Sequence, residues 1–305
     1  MVKYLAHNLG AALASVAAVV CLVFLLVNIL PSDPARVRLG AHYNERDAAA
    51  IRAQYGLDRS IPEQFAIYVG RLATGDLGTS ITTGEAVAQG LRDRLPQSLL
   101  LVALSLALSL PGAAIGVRGA MSRSRGFGTV ETFLLALSVI PVFVLGATAI
   151  FLAARWGTSL VARGSGVAAL QFYFLPALLL AFYPAFVLFK VSRDTLGHAL
   201  AGPYVMAYRA FGFSEAGVVI WALRAVGVSL LGVSTNLAGY YLSSIYAVEF
   251  IFSLGGIGGW AVGAAQNYDI PVVLAMVVVS AVVYNAVNLG TAIVAPCIDG
   301  RLLRG

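Results

Sequence analysis

The sequence predicts an all-α integral membrane protein with six transmembrane helices, and three observations carry that prediction. The 305 residues are 59% hydrophobic and only 11% charged, with a mean hydropathy of +0.86, whereas soluble domains carry about 25% charged residues. Apolar runs long enough to cross a hydrocarbon core of about 30 Å recur along the chain. Positive charges gather in alternate intervals between those runs, as the orientation of a membrane protein requires. The net charge of +6 would also suit a nucleic-acid binder, but the positives flank apolar spans and form no groove-filling patch.

The first span is Leu9 to Leu30, 22 residues without a charge, in a first segment of 1–30. Lys3 and His7 precede it, as in a secretory signal, yet the run exceeds a usual signal core and no small-x-small cleavage site follows before Pro31. It reads as a retained helix.

Residues 31–95 form the one long polar interval, an extracytoplasmic domain; within 31–94 eight acids balance eight arginines. Asn44 caps a short helix ending at Tyr55, with acids in its first turn, and Gly56 terminates it. Ile61 to Thr74 is a second, amphipathic helix with Phe65, Ile67, Tyr68 and Leu72 for an apolar face and Pro62 near its start. GDLGTSITTG (75–84) lacks the Gly-Lys-Ser/Thr ending of a phosphate loop and reads as a structural turn.

The membrane core, 96–305, holds the other five spans. The second, Ser98 to Val117, contains Pro111 and Gly112, breaks that neighbouring helices tolerate. Arg118, Arg123 and Arg125 follow without an acid and mark the cytoplasmic side. Thr129 to Ala154 reads as a third single span with Pro141 in its middle; Glu131 near its inner end suits an ion pair with a nearby Arg. After a loop bearing Arg155 and Arg163, the fourth span runs from Val167 to Phe189, with Pro176 and Pro184.

The interval 190–224 is polar and cytoplasmic. The fifth span, Ala225 to Val248, is rich in hydroxyls and amides. Thr235, Gly239 and Ser243 repeat every four residues, a pattern for close helix packing, with lining of a water-filled pathway as the alternative. A Gly-rich outer connection with a short helix covers 249–269. The sixth span, Ile270 to Ala295, has Asn285 and Asn288 on one face, and Arg301 and Arg304 close the chain. Alternation puts both termini in the cytoplasm. Asn236 and Tyr240, with Asn285 and Asn288 behind them, are the candidate pathway residues.

Chemistry is sparse. Lys3 and Lys190 are the two lysines, neither follows glycine, and no Walker A sequence is possible. No catalytic triad, zinc motif or cofactor motif occurs; Cys21 and Cys297 read as packed thiols. No metal and no cofactor is expected in this chain, so uphill transport requires energy from another subunit.

Several phrases, in order, carry a resemblance. YVMAYRAFGFSEAGVVIWALRA (204–225) resembles the coupling segment of permease subunits of binding-protein-dependent ABC importers. It is most similar to the dipeptide, oligopeptide and nickel branch, the DppB- and OppB-like subunits. Arg209, Ala210, Gly212, Ser214, Ala222, Leu223 and Arg224 match position by position. LPSDPA (30–35) resembles that family's LPGDPA, VEFIFSLGGIG (248–258) its VETVFSWPGLG, and YDIPVV (268–273) its DYPVV; YGLDRSIPEQF, GDLGTS and LRDRLPQSLLL resemble its outer-domain and second-span patterns. Met206 stands where the family has an acid, Phe211 where it has Lys before Gly, and Leu230 near the place of an expected proline.

The resemblance implies a type I ABC importer permease fold in a prokaryotic cytoplasmic (inner) membrane. It implies a second, similar permease, two cytoplasmic ATPase subunits that bind ATP and Mg, and an extracytoplasmic solute-binding protein. Tyr204, Arg209, Ala210, Gly212, Ser214, Glu215 and Arg224 would form the ATPase contact, with Ala210 and Gly212 permitting close backbone approach. Di- or oligopeptides are the implied cargo, with nickel chelates, glutathione or opines as alternatives within the family. A stand-alone secondary transporter is the alternative outside it; no internal repeat supports that reading.

Overall fold

The computed structural model describes residues 2–29, 39, 42–122, 126–157 and 170–298. LPSDPA (30–35), Arg123, Arg125, Arg163, Arg301 and Arg304 lie outside the described residues. The helices in order are α1 (Val2–Ile29), α2 (Glu45–Tyr55), α3 (Ile61–Ala73), α4 (Val87–Met121), α5 (Gly126–Val139), α6 (Val142–Arg155), α7 (Leu170–Ala201), α8 (Pro203–Ala210), α9 (Glu215–Ile251), α10 (Ile257–Gln266) and α11 (Ile270–Ile298).

Five of these, α1, α4, α7, α9 and α11, are each long and apolar enough to cross a bilayer. The third span departs from expectation. It is two helices, α5 and α6, bent by 87° at a short break. Pro141 supplies the reason, since its ring denies the preceding residue a helical conformation and removes one N–H. Pro141 takes extended ψ of 133° and caps α6. Pro111, Pro176 and Pro184 stay inside continuous helices; Pro176 and Pro184 are buried against neighbours, whereas Pro141 is exposed, as is Pro111 beside the buried Gly112.

The small helices form as their ends dictate. The Asn44 side chain accepts from the Asp47 N–H at 2.8 Å, and Gly56 closes α2 at φ +67° with its N–H on the Ala53 carbonyl. Glu63 reaches back to the Ser60 N–H and hydroxyl at 3.1 and 2.9 Å, a capping box for α3. The apolar face of α3 lands on α1, with Phe65 and Tyr68 ring centroids 5.1 and 6.0 Å from Phe24.

The most extensive interface joins α4 to α7. A buried stripe of small residues on α4, including Ser105, Ser109, Gly112 and Gly116, lets the backbones meet. A Cβ at Gly112 would sit 2.4 Å from the Ala185 carbonyl oxygen, and one at Gly116 2.3 Å from that of Phe189. The closest helix approach is therefore here and not at Thr235, Gly239 and Ser243. A Cβ at Gly239 would meet only the Tyr284 ring, at 3.7 Å, and Ser243 is exposed. Both α7 and α9 also outrun their apolar cores. α7 carries the first part of the 190–224 interval as helix to Ala201, and α9 already starts at Glu215.

Candidate functional site

The segment 202–225 folds as a hook. Gly202 precedes Pro203, whose fixed φ starts α8. At the other end Gly212 stands at φ +81°, and its N–H bonds the Arg209 carbonyl while that of Phe213 bonds Tyr208. That left-handed turn is the place where glycine is required. The surroundings of Gly212 are open, with nothing within 4 Å of a Cβ, so in this chain the residue serves the turn rather than an internal close approach. Ser214 then caps α9 by accepting from the Gly217 N–H at 3.2 Å.

Two sets of contacts fix the hook. Arg209 Nε and Nη2 donate to the two Glu215 carboxylate oxygens at 2.8 and 2.9 Å, a bidentate pair. The carboxylate pushes the Arg209 guanidinium still further above its ordinary range. Trp221 of α9 meets Tyr204 edge-on and Tyr208 at a tilt, at centroid distances of 4.7 and 5.2 Å, and Tyr208 meets Phe213 edge-on at 5.1 Å. Val205, Val218 and Ala222 are buried beneath. The outer surface is the reverse: Met206 is 73% exposed, Phe211 81% and Phe213 54%, and Ala210 and Arg224 are exposed as well. Arg224 lies nine residues beyond Glu215 on α9, apart from the ion pair.

Near the hook, Glu131 is held as its position between apolar runs required. Lys190 donates to it at 2.6 Å, Arg193 bonds its other oxygen, and Asp194 pairs with Lys190 at 3.2 Å. These groups line an open cavity of about 520 Å³ with Ser122 and His198.

The pathway candidates separate into two places. Tyr240 donates to the Leu180 carbonyl at 3.2 Å and packs against Tyr183 at 4.6 Å. It lines a cavity of about 230 Å³ with Pro141, Ser243 and Ser244. Asn236, one turn earlier on the same face of α9, is exposed. Asn285 lies elsewhere, in a cavity of about 500 Å³ shared with Ser15 and Tyr284, donating to Ser15 Oγ of α1 at 3.4 Å. Asn288 is exposed. One chain therefore brings Asn236 and Tyr240 to one face and leaves Asn285 on the α1 side of α11.

The sequence reading missed two acids. Glu249, near the end of α9, is 1% exposed. Its carboxylate accepts from Ser98 Oγ of α4 at 2.6 Å and from the Gly258 and Gly259 N–H groups at 2.6 and 3.3 Å. Ser98 Oγ accepts in turn from the Ile257 N–H at 2.9 Å. The carboxylate thus sits on the positive N-terminus of α10, and a Cβ at Gly256 would strike it at 2.2 Å. Asp269, between α10 and α11, is 2% exposed. It accepts from Ser80 Oγ at 2.5 Å and from the Ile81 and Thr82 N–H groups at 3.0 and 3.2 Å. The turn 75–84 is thereby structural, as expected. The available signal was an acid amid apolar residues, which must find donors when buried; nothing local names donors more than 150 residues away.

Comparison with known proteins gives one answer along the chain. Residues 1–102 match the N-terminal region of the binding-protein-dependent transport system membrane component. Residues 112–304 match the binding-protein-dependent transport system inner membrane component. The dipeptide transport system permease protein DppB of Lactococcus lactis subsp. cremoris is 31% identical over 307 residues, 99% of each chain. The probable D,D-dipeptide transport system permease protein DdpB of Escherichia coli is 31% identical over 323 residues, covering 95% of this chain and 94% of that one. The glutathione transport system permease protein GsiC of Salmonella choleraesuis is 29% identical over 295 residues, 95% of each.

Proposed function

Since this chain belongs to the family of binding-protein-dependent transport system inner membrane components, and is a multi-pass inner-membrane permease of an ABC importer, we propose that it conducts di- or oligopeptides and is driven through the 202–225 hook. The relatives named for dipeptide transport support the cargo. So does the wall of the cavity beside Tyr240, where hydroxyls of Ser243 and Ser244 suit an uncharged peptide backbone. Glutathione, itself a peptide, is the second cargo, favoured by the GsiC relatives.

The observation that carries the coupling role is the hook itself: a rigid inner face with an exposed apolar tip of Met206, Phe211 and Phe213. In this reading Tyr204, Arg209, Ala210, Gly212, Ser214, Glu215 and Arg224 form the surface that meets a cytoplasmic ATPase. ATP and Mg belong to two such ATPases, a second homologous permease completes the pathway, and both termini face the cytoplasm. The 31–95 segment faces outward and receives the solute-binding protein. Because α9 is continuous for 37 residues, about 55 Å at 1.5 Å per residue, a push on the hook reaches the outer end of the same helix. Transport is then rigid-body switching between two packings.

The test is reconstitution in proteoliposomes with the copurifying permease, ATPases and binding protein. Labelled dipeptide, tripeptide and glutathione uptake is measured with and without ATP. The expected result is uptake that needs ATP and binding protein together. Uptake by this chain alone without ATP would overturn the coupling role, and transport of glutathione without other peptides would replace the cargo.

A further inference from the structure

Neither Glu249 nor Asp269 has a part in the ATPase contact or in the cavity beside Tyr240, yet both hold the same ten-residue helix, α10. Glu249 fixes its start through Gly258 and Gly259. Asp269 fixes its end, and its own carbonyl accepts the Val273 N–H in the first turn of α11. Between them, Trp260 lies under the Arg94 guanidinium at 4.6 Å and against Gly90 of α4.

We propose that Glu249 and Asp269 are unequal positioning residues holding α10 as the outer closure of this subunit, Glu249 as the permanent anchor and Asp269 as the catch released when the 75–84 loop is engaged from outside. This rests on the outward orientation of 31–95 given above.

The inequality follows from where the donors lie. Those of Glu249 belong to α4 and to the first turn of α10, and Ser98 is itself buried. Releasing Glu249 would strand a carboxylate and its donors inside the packed helices, a costly state. It also rides on α9, so a displacement of the hook carries α10 with it. The donors of Asp269 are Ser80, Ile81 and Thr82; Ser80 and Ile81 are as buried as Ser98, but they belong to a short loop whose next residues Thr82, Thr83 and Gly84 are exposed, not to a packed helix. A docking protein can take hold of that loop. When it moves, both the carboxylate and its donors meet water, and no polar group is left unpaired. The loop also lies close to the start of α11, where a Cβ at Gly78 would sit 3.7 Å from the Pro271 side chain. The two ends of α10 therefore answer to two signals, hook displacement at Glu249 and loop engagement at Asp269. Opening that requires both keeps ATP hydrolysis waiting for loaded binding protein.

The experiment uses the assembled importer in proteoliposomes and reads ATP hydrolysis without binding protein, and ATP consumed per solute imported with it. Asp269→Asn keeps the shape and sets an amide N–H against donors. It is expected to raise both quantities about fivefold or more, the size of an ordinary coupling energy. Glu249→Gln is expected to lower hydrolysis and uptake together, at an unchanged ratio, which a merely structural role for Asp269 would also give at that position. If Asp269→Asn does not assemble, Ser80→Ala is read instead. It removes one of three donors and is expected to raise the ratio less, in the same direction. A wild-type ratio in whichever of these two variants assembles overturns the catch. Absence of ATP-driven uptake in the wild-type assembly overturns the importer reading beneath it, and is seen before any variant is made.

Discussion

The 202–225 hook and the helix α10 both depend on acid side chains, and they use them in opposite ways. Glu215 is exposed and meets Arg209 in water, where salt screens the pair and its contribution to stability is small. What gives the hook its shape is the left-handed turn at Gly212 and the aromatic cluster of Tyr204, Trp221 and Tyr208. Glu249 and Asp269 are buried and accept from peptide N–H groups and serine hydroxyls. There the acid itself is the fixing element. A charge at a surface that must meet and leave a partner can be cheap to rearrange; a charge that defines a helix position must be fully paired.

The largest effect expected from that contrast is at Glu249. Glu249→Ala leaves Ser98 Oγ and the Gly258 and Gly259 N–H groups without their acceptor, at about 1–3 kcal/mol for each buried group unpaired. Size-exclusion elution and thermal melting in detergent should show a destabilised, poorly monodisperse protein. Arg209→Ala should elute and melt as wild type. The reverse ranking would break the comparison.

Next is Gly212→Arg. A side chain at φ +81° is strained by about 1–2 kcal/mol, and the turn is exposed, so membrane abundance should stay near wild type. Uptake should be lost, because both the turn and the tip it presents are altered. Gly212→Ala sharpens the point, since its Cβ meets nothing within 4 Å and only the strain remains. Partial uptake in that variant assigns the remainder of the loss to bulk at the proposed ATPase surface. Normal uptake in the Arg variant would remove the hook from coupling.

How much of this was legible in the sequence depended on how local the physics is. Asn44, Gly56 and Pro62 act within a few residues of themselves, so α2 and α3 could be read directly, and six apolar intervals were visible in composition alone. The 202–225 segment was legible through its resemblance to a coupling segment, whereas the turn at Gly212 and the cap at Ser214, though local, were not read from it. Pro141 was visible but its outcome was not, since a proline kinks or breaks a span according to what packs beside it. The contact of Gly112 and Gly116 with α7 was hidden for a similar reason. Small-residue spacing occurs in both α4 and α9, and only the partner helix decides which is used. Glu249 and Asp269 pair with donors 151 and 189 residues away, which no period or cap can announce. The split between Tyr240 and Asn285 is likewise a matter of which neighbours α9 and α11 turn toward.

The smallest effect expected is at Glu63, a fully exposed acid in the same 31–95 segment whose loop holds Asp269. Its carboxyl is kept below the usual carboxylate range, first by the Ser60 hydroxyl and then by the Ser60 N–H. The folded value lies below the unfolded one, so the capping contribution is present above the ordinary range of about 4.3 and is lost as pH falls through the lowered value. Hydrogen exchange of the first-turn amides of α3 should therefore show protection falling under acid, with α4 unchanged. Glu63→Gln keeps an acceptor but no titrating group, so its α3 protection should lose that pH dependence. Equal acid sensitivity in both proteins would mean that α3 is held by Phe65 and Tyr68 on Phe24 rather than by its cap. The contrast between exposed and buried acids would then rest on Glu215 against Glu249 and Asp269, without Glu63.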